Sequence, residues 1–249
     1  MRTEIVINPK YQYLSPFVHS VRERFEKEGE TIYKARNEIK VFEVDGELIN
    51  VKRFQVPHLI NRIAYTFIRP SKAKRSYQYG FILHEKGVYT PEPIATITIY
   101  RRGVLYYSYF ISKQLDTYQA MYDILQRPAV EIQPFIKDLA QFAVYLHESG
   151  IFHKDFSPGN VLYEKQDDGY RFCLVDINRM EFGSPVSVQK GCSNFARLWG
   201  KEDVFVLLAK EYAKGRGANE EECVQWVLKQ RKLFWKQFAL KHDIPFEFE

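Results

Sequence analysis

Cysteine is scarce in this chain. Its three residues, Cys173, Cys192 and Cys223, are widely spaced and odd in number, and no C-x-x-C pair occurs in 249 residues. That spacing excludes a zinc site and a disulfide framework, and it fits a reducing compartment. Long apolar runs are missing too. None approaches the roughly 18 residues needed to cross a bilayer. The segment from Met1 to Tyr11 mixes polar and apolar residues around Glu4, without the apolar core of a secretory signal. The expected location is therefore cytoplasmic, with at most a peripheral contact at the cytoplasmic face of a membrane. Acid is absent from one long stretch: no Asp or Glu lies between Leu48 and His84, where Lys52, Arg53, Arg62, Arg69, Lys72, Lys74 and Arg75 stand. A block of one sign draws phosphate groups, anionic headgroups or nucleic acid, or is simply a solvated face.

What is present is ordinary for a folded protein. Hydrophobic residues make up 45% and charged residues 27%, and 36 basic against 31 acidic residues leave a mild +5. Disorder is excluded by that balance. The first half reads as strands at Thr31–Tyr33, Ile39–Val44, Leu48–Phe54, Ile94–Tyr100 and Val104–Ile111, with hairpin turns at Asp45-Gly46 and Arg101-Arg102-Gly103. A basic helix is expected from Ser71 to Lys86, stopped by Gly87, although Gly80 interrupts it. Near Ser112 the pattern changes. Thr117–Gln126 and Pro134–Ser149 read as helices, the second carrying Phe135, Leu139, Phe142, Ala143 and Leu146 at three- and four-residue intervals. A hairpin of Val161–Tyr163 and Phe172–Val175 turns at Asp167-Asp168-Gly169, and the remainder reads as helix. The expected fold is α+β in two lobes: residues 1–112, a β-rich lobe with one helix, and residues 113–249, a mainly helical lobe. A crevice between lobes is a favoured ligand site.

The chemistry is concentrated in His153-Lys154-Asp155-Phe156-Ser157-Pro158-Gly159-Asn160, a loop between a helix and a strand. Its H-x-D-x-x-x-x-N spacing is a kinase catalytic-loop signature. By composition alone the bare pattern arises in about one chain in a hundred of this length, so its context decides. Asp155 would accept or orient the proton of an attacking hydroxyl. Asn160 would offer its amide oxygen to Mg²⁺. His153 reads as a packing buttress. Sixteen residues after Asn160, Asp176 ends an apolar strand, where a kinase places its second Mg²⁺ ligand; the competing reading is a turn or cap residue. Upstream, Lys52 lies on the third strand, where a lysine holds the α- and β-phosphates of ATP. Arg53, its rival, points to the opposite face.

These residues resemble the protein-kinase-like superfamily over nearly the whole chain. More narrowly, His153 to Asn160, Val175-Asp176-Ile177-Asn178-Arg179 and Val51-Lys52-Arg53-Phe54 look like the lipopolysaccharide kinase family of Kdo/WaaP type. Gly87-Val88-Tyr89-Thr90-Pro91-Glu92-Pro93 and Leu105-Tyr106-Tyr107-Ser108-Tyr109-Phe110 are similar to it as well. The resemblance implies phosphorylation of a sugar hydroxyl in the lipopolysaccharide inner core, with ATP and Mg²⁺, at the cytoplasmic face of the inner membrane. It implies Asp155 as catalytic acid, Lys52 as ATP lysine, and Asn160 with Asp176 as metal ligands. Ser112 to Asp116 would match the hinge, with backbone groups near Lys113 and Leu115 meeting the adenine edge.

Several features depart from protein kinases. No G-x-G-x-x-G loop is present, so phosphate cover falls to backbone N–H groups and Arg36 in the turn Lys34–Glu38. The helix glutamate that pairs with the strand lysine is missing, and its place falls near Gln78. There is no Ala-Pro-Glu, and only 73 residues (249 − 176) follow Asp176. These absences favour a glycolipid or sugar acceptor over a protein. An aminoglycoside-type phosphotransferase and a nucleotide-binding pseudokinase remain as alternatives. Nucleic-acid binding rests on the basic block and aromatics alone and ranks last.

Overall fold

Strand-forming segments of the first half pair into one antiparallel sheet. Its elements are β1 (Arg2–Ile7), α1 (Ser15–Lys27), β2 (Glu30–Lys34), β3 (Glu38–Val44), β4 (Glu47–Phe54), α2 (Leu59–Phe67), α3 (Lys72–Glu85), β5 (Pro93–Arg101) and β6 (Val104–Lys113). The strand order is β1-β5-β6-β4-β3-β2. The computed structural model describes residues 1–56, 58–244 and 246, in two units, Met1–Asp116 and Thr117–Glu249.

Strand alternation separates two faces of the sheet. Ile49 and Val51 of β4 pack with Phe17, Val18, Val21 and Phe25 of α1. Arg53 lies on that face, its guanidinium 4.5 Å from the Phe25 ring centroid and paired with Glu26 and with Glu38 at 2.6 Å. The other face carries Phe54, packed with Ala73 and Tyr77 of α3 and Phe110 of β6. Lys52 shares the Phe54 face, and its Nζ lies 5.3 Å from that ring.

One helix was expected in this unit, and three are described. α1 escapes notice because four buried apolar residues are diluted by His19, Arg22, Glu23, Arg24 and Glu26. α2 hides in the acid-free block. β1 is an additional edge strand, in register from Arg2 opposite Tyr100 to Ile7 opposite Ala95. Ser71 caps α3, its hydroxyl accepting from the Lys74 N–H. Gly80 stands inside α3 for a packing reason: a Cβ there would fall 2.4 Å from Pro93 Cγ.

The second unit contains β7 (Gln119–Ala120), α4 (Gln133–Glu148), β8 (Ile151–His153), β9 (Val161–Gln166), β10 (Gly169–Leu174), β11 (Met180–Phe182), α5 (Val188–Asn194), α6 (Glu202–Arg216) and α7 (Glu220–Ala239). Phe135, Leu139, Ala143 and Leu146 of α4 are fully buried, and Phe142 stacks on Phe172 of β10. The expected helix at Thr117–Gln126 is corrected. That segment holds β7, paired with β9 at Gln119–Tyr163 and Ala120–Leu162, and a single 3-10 turn at Ile124–Gln126. The Met121 N–H donates to the Pro158 carbonyl rather than within a helix. Tertiary hydrogen bonds outweigh weak local propensity here.

Candidate functional site

The loop from His153 to Asn160 is held by its own backbone, by the His153 imidazole and by the Asn194 side chain. β8 ends at His153, paired with Met180 of β11. His153 is buried. Its Nδ1 accepts the Asp155 N–H at 3.0 Å, so the proton sits on Nε2, which donates to the Val175 carbonyl at 3.1 Å. Burial pushes its pKa down. The residue is thus the buttress expected, linking the loop to the strand end before Asp176.

Behind the loop runs a buried polar chain that sequence reasoning missed. Asn194 Nδ2 donates to the His153 carbonyl at 2.8 Å. Its Oδ1 therefore accepts from His147 Nε2 at 3.1 Å, and His147 Nδ1 accepts from the Tyr212 hydroxyl at 2.8 Å. The Tyr212 oxygen accepts from Arg216 at 2.6 Å. Burial pulls the His147 pKa down to about 4. Such a group is neutral in the fold but titrates near 6.5 when unfolded. The unfolded chain binds the extra proton, so the stability is present above pH 6.5 and is lost as pH falls toward 4. His147 alone should cost about 2 kcal/mol between pH 7 and pH 5. Thermal melts across this window should show the loss, and His147→Gln should flatten it. A wild-type melting temperature unchanged from pH 7 to pH 5 would contradict a buried neutral imidazole.

Asp155 is partly buried, and its carboxylate meets two cations. Arg197 Nη1 donates to Oδ1 at 2.8 Å, and Arg179 Nη1 lies 3.7 Å from Oδ2. Arg197 comes from the 3-10 turn Phe195–Arg197 and lies 4.8 Å from the Phe234 ring centroid. No motif pointed to Arg197, because its partner is 42 residues away. Beside this pair, Glu181 ties Lys154 and Lys190, each at 2.6 Å.

Asn160 and Asp176 are neighbours through the backbone. The Val175 N–H donates to the Asn160 carbonyl at 2.9 Å, and Asn160 Nδ2 donates to the Asp155 carbonyl at 2.9 Å. Asp176 takes a left-handed conformation, φ 52°, rare for a residue with a Cβ. Asn178 Nδ2 grips its Oδ1 at 2.5 Å. No cluster of three or more His, Cys, Asp or Glu that could hold a metal exists among the described residues. The donor set fits Mg²⁺ all the same: hard oxygens, one carboxylate and one amide, a set that Mg²⁺ completes with phosphate oxygens and water.

In the first unit, Arg36 is exposed in the bend between β2 and β3. Gln78 is exposed on α3, and Tyr77 is the neighbour that faces β4. At the end of β6 the Lys113 N–H donates to the Glu92 carbonyl, and its Nζ pairs with Glu47 at 2.8 Å. The Leu115 carbonyl accepts from the Gln114 side chain, whose oxygen accepts from Asn50.

Comparisons with known proteins follow the same lines. A family model described as lipopolysaccharide kinase (Kdo/WaaP) family matches residues 22–201. The 3-deoxy-D-manno-octulosonic acid kinase of Pasteurella multocida (strain Pm70) is 26% identical over 141 residues, 56% of this chain and 58% of that protein. The protein kinase gsk3 of Schizosaccharomyces pombe is 25% identical over 151 residues, 61% of this chain and 33% of that one. The chain thus spans between a third and three fifths of the length of these curated relatives. A solved structure of WaaP in complex with acyl carrier protein superposes with a TM-score of 0.63 at 15% identity, covering 94% of this chain and 100% of that one. That likeness shows a protein-kinase-like fold. With the family model spanning most of its length, this chain belongs to the lipopolysaccharide kinase (Kdo/WaaP) family.

Proposed function

We propose that this protein is an ATP-dependent kinase that phosphorylates a sugar hydroxyl of the lipopolysaccharide inner core, on 3-deoxy-D-manno-octulosonic acid or heptose. The observation that carries the reading is the Asp155 loop, locked through His153 to the strand end that presents Asp176. The acceptor hydroxyl oxygen bonds to the γ-phosphorus as the bond to the β–γ bridging oxygen breaks. Its proton passes to Asp155, and ADP leaves. Asn160 and Asp176 would hold Mg²⁺, which supplies charge neutralisation for the phosphates. Lys52 would bind the α- and β-phosphates, with Arg36 above them; the support expected of Gln78 is not available from α3, whose Tyr77 faces β4 instead. Backbone groups at Lys113 and Leu115 would meet adenine.

Contact with an anionic membrane surface would fall at the end of α2. Phe67 and Ile68 are 74% and 80% exposed there, with Arg69 and Lys74 close in sequence. Exposed apolar tips among cations suit a headgroup layer. No helix among the described residues is long and apolar enough to cross a membrane.

Purified protein with Mg²⁺ and γ-labelled ATP should transfer label to an inner-core glycolipid acceptor. Lys52→Ala should raise the KM for ATP at least tenfold. Label reaching an aminoglycoside but not the glycolipid would replace this reading with the aminoglycoside one. Nucleotide binding without turnover on any acceptor would make the chain a pseudokinase.

A further inference from the structure

Two arginines converge on the carboxylate of Asp155, and their surroundings differ from those of Arg231 and Arg216. Arg231 is buried and gives its two terminal nitrogens to the carbonyls of Leu198 and Gly200. Arg216 is spent on the Tyr212 hydroxyl, the Val186 carbonyl and Glu148. Both hold the fold. Arg197 and Arg179 have side chains 39% and 56% exposed, and both meet the single carboxylate of Asp155. The adjacent Lys154 and Lys190 share the single carboxylate of Glu181, so the positive balance extends beyond the arginine pair. Among the described residues, two guanidinium charges thus face one carboxylate charge at the point where the acceptor must sit.

Geometry limits what that surplus can do. Arg197 spends one terminal nitrogen on Oδ1 of Asp155, and the Phe234 face beneath it fixes its plane. A guanidinium carries five donors in a rigid fork, and only one is used on Asp155. Oδ2 is left for the acceptor hydroxyl, and Arg179 stands 3.7 Å from it. Any group bound to the remaining donors would lie next to that hydroxyl on the same substrate. Guanidinium forks bind carboxylate and phosphate oxyanions by charge-assisted paired hydrogen bonds.

We propose that Arg197 and Arg179 form an oxyanion subsite beside Asp155, which selects acceptors carrying an anionic group next to the reacting hydroxyl. The proposal rests on the phosphotransfer reading above and names the acceptor feature it leaves open. The anion is either a carboxylate of the acceptor sugar or a phosphate nearby on the same glycolipid.

The test compares kcat/KM for three acceptors: the intact glycolipid, the same lipid with its sugar carboxylate reduced to an alcohol, and the same lipid with its phosphates hydrolysed. Wild type should favour the intact acceptor over one of the two by about 10- to 100-fold, equivalent to one or two charge-assisted bonds. Arg197→Gln should collapse that preference toward unity, Arg179→Gln should reduce it, and Arg197→Lys should restore part of it. The altered acceptor that loses preference identifies the anion. Any general loss from disturbing Asp155 cancels in the ratio. Equal losses on all three acceptors, with the preference intact, would reduce Arg197 to a holder of Asp155 and overturn the subsite. Equilibrium binding of the same acceptors to wild type and Arg197→Gln reads the subsite even without turnover. A kinase reading that fails is thereby separated from a subsite that fails.

Discussion

Asp155→Asn should lower phosphoryl transfer by roughly 10²–10⁴-fold, the usual contribution of a positioned general base. Nucleotide affinity should stay near wild type. The substituted amide keeps the shape of the side chain, and the loop keeps its other anchors, because His153 receives the backbone N–H of residue 155 and Asn160 donates to its carbonyl. The pairs with Arg197 and Arg179 are partly solvent-exposed, and such pairs contribute about 0–1 kcal/mol. The melting temperature should therefore move by only a few degrees. Equal turnover by the variant and wild type would remove Asp155 from the chemistry. A large loss of stability would instead show that the carboxylate is structural.

Asn194→Ala should be the most damaging change away from the reacting atoms. It strands two buried groups at once: the His153 carbonyl loses its donor, and His147 Nε2 loses its acceptor. Each stranded group costs about 1–3 kcal/mol, so roughly 2–6 kcal/mol of stability should disappear in a urea melt. Transfer should fall as well, because the His153 carbonyl belongs to the residue whose imidazole buttresses the loop and lies two residues before Asp155. Asn194→Asp separates the two effects. A carboxylate can still accept from His147 but cannot donate to the His153 carbonyl. It should recover part of the stability and little of kcat, with the KM for ATP unchanged. Gly191→Ala should mimic the loss from the other end, since its Cβ would fall 2.0 Å from the Tyr212 hydroxyl and 2.8 Å from His147 Nδ1. Wild-type stability in Asn194→Ala would mean that water replaces the side chain and that the chain of bonds carries no load.

Much of the candidate site was legible because its residues lie close in sequence. His153, Asp155 and Asn160 share one loop, and the hairpin after it delivers Asp176 to a strand end by local spacing. The strands around Lys52 follow β-branched runs and turn dipeptides, whose preferences act over a few residues. Alternation also placed Arg53 opposite Lys52, as the α1 contacts bear out.

What stayed hidden depends on partners far away in the chain. Nothing local marks α1, whose apolar stripe gains meaning only against Ile49, Val51 and Tyr109. Thr117–Gln126 has a helical look, but backbone bonds to Pro158 and to β9 claim it. His147, Asn194 and Tyr212 are unremarkable letters in three different helices, and burial is what turns them into a single hydrogen-bonded chain behind the loop. Arg197 is one basic residue among many until folding sets it against Asp155. Spacing along the chain could therefore announce the reaction, since catalytic loops are built from neighbours. The charge around the Asp155 carboxylate and the bracing behind it came from packing, because a side chain's electrostatic environment belongs to whatever the fold brings within a few ångströms.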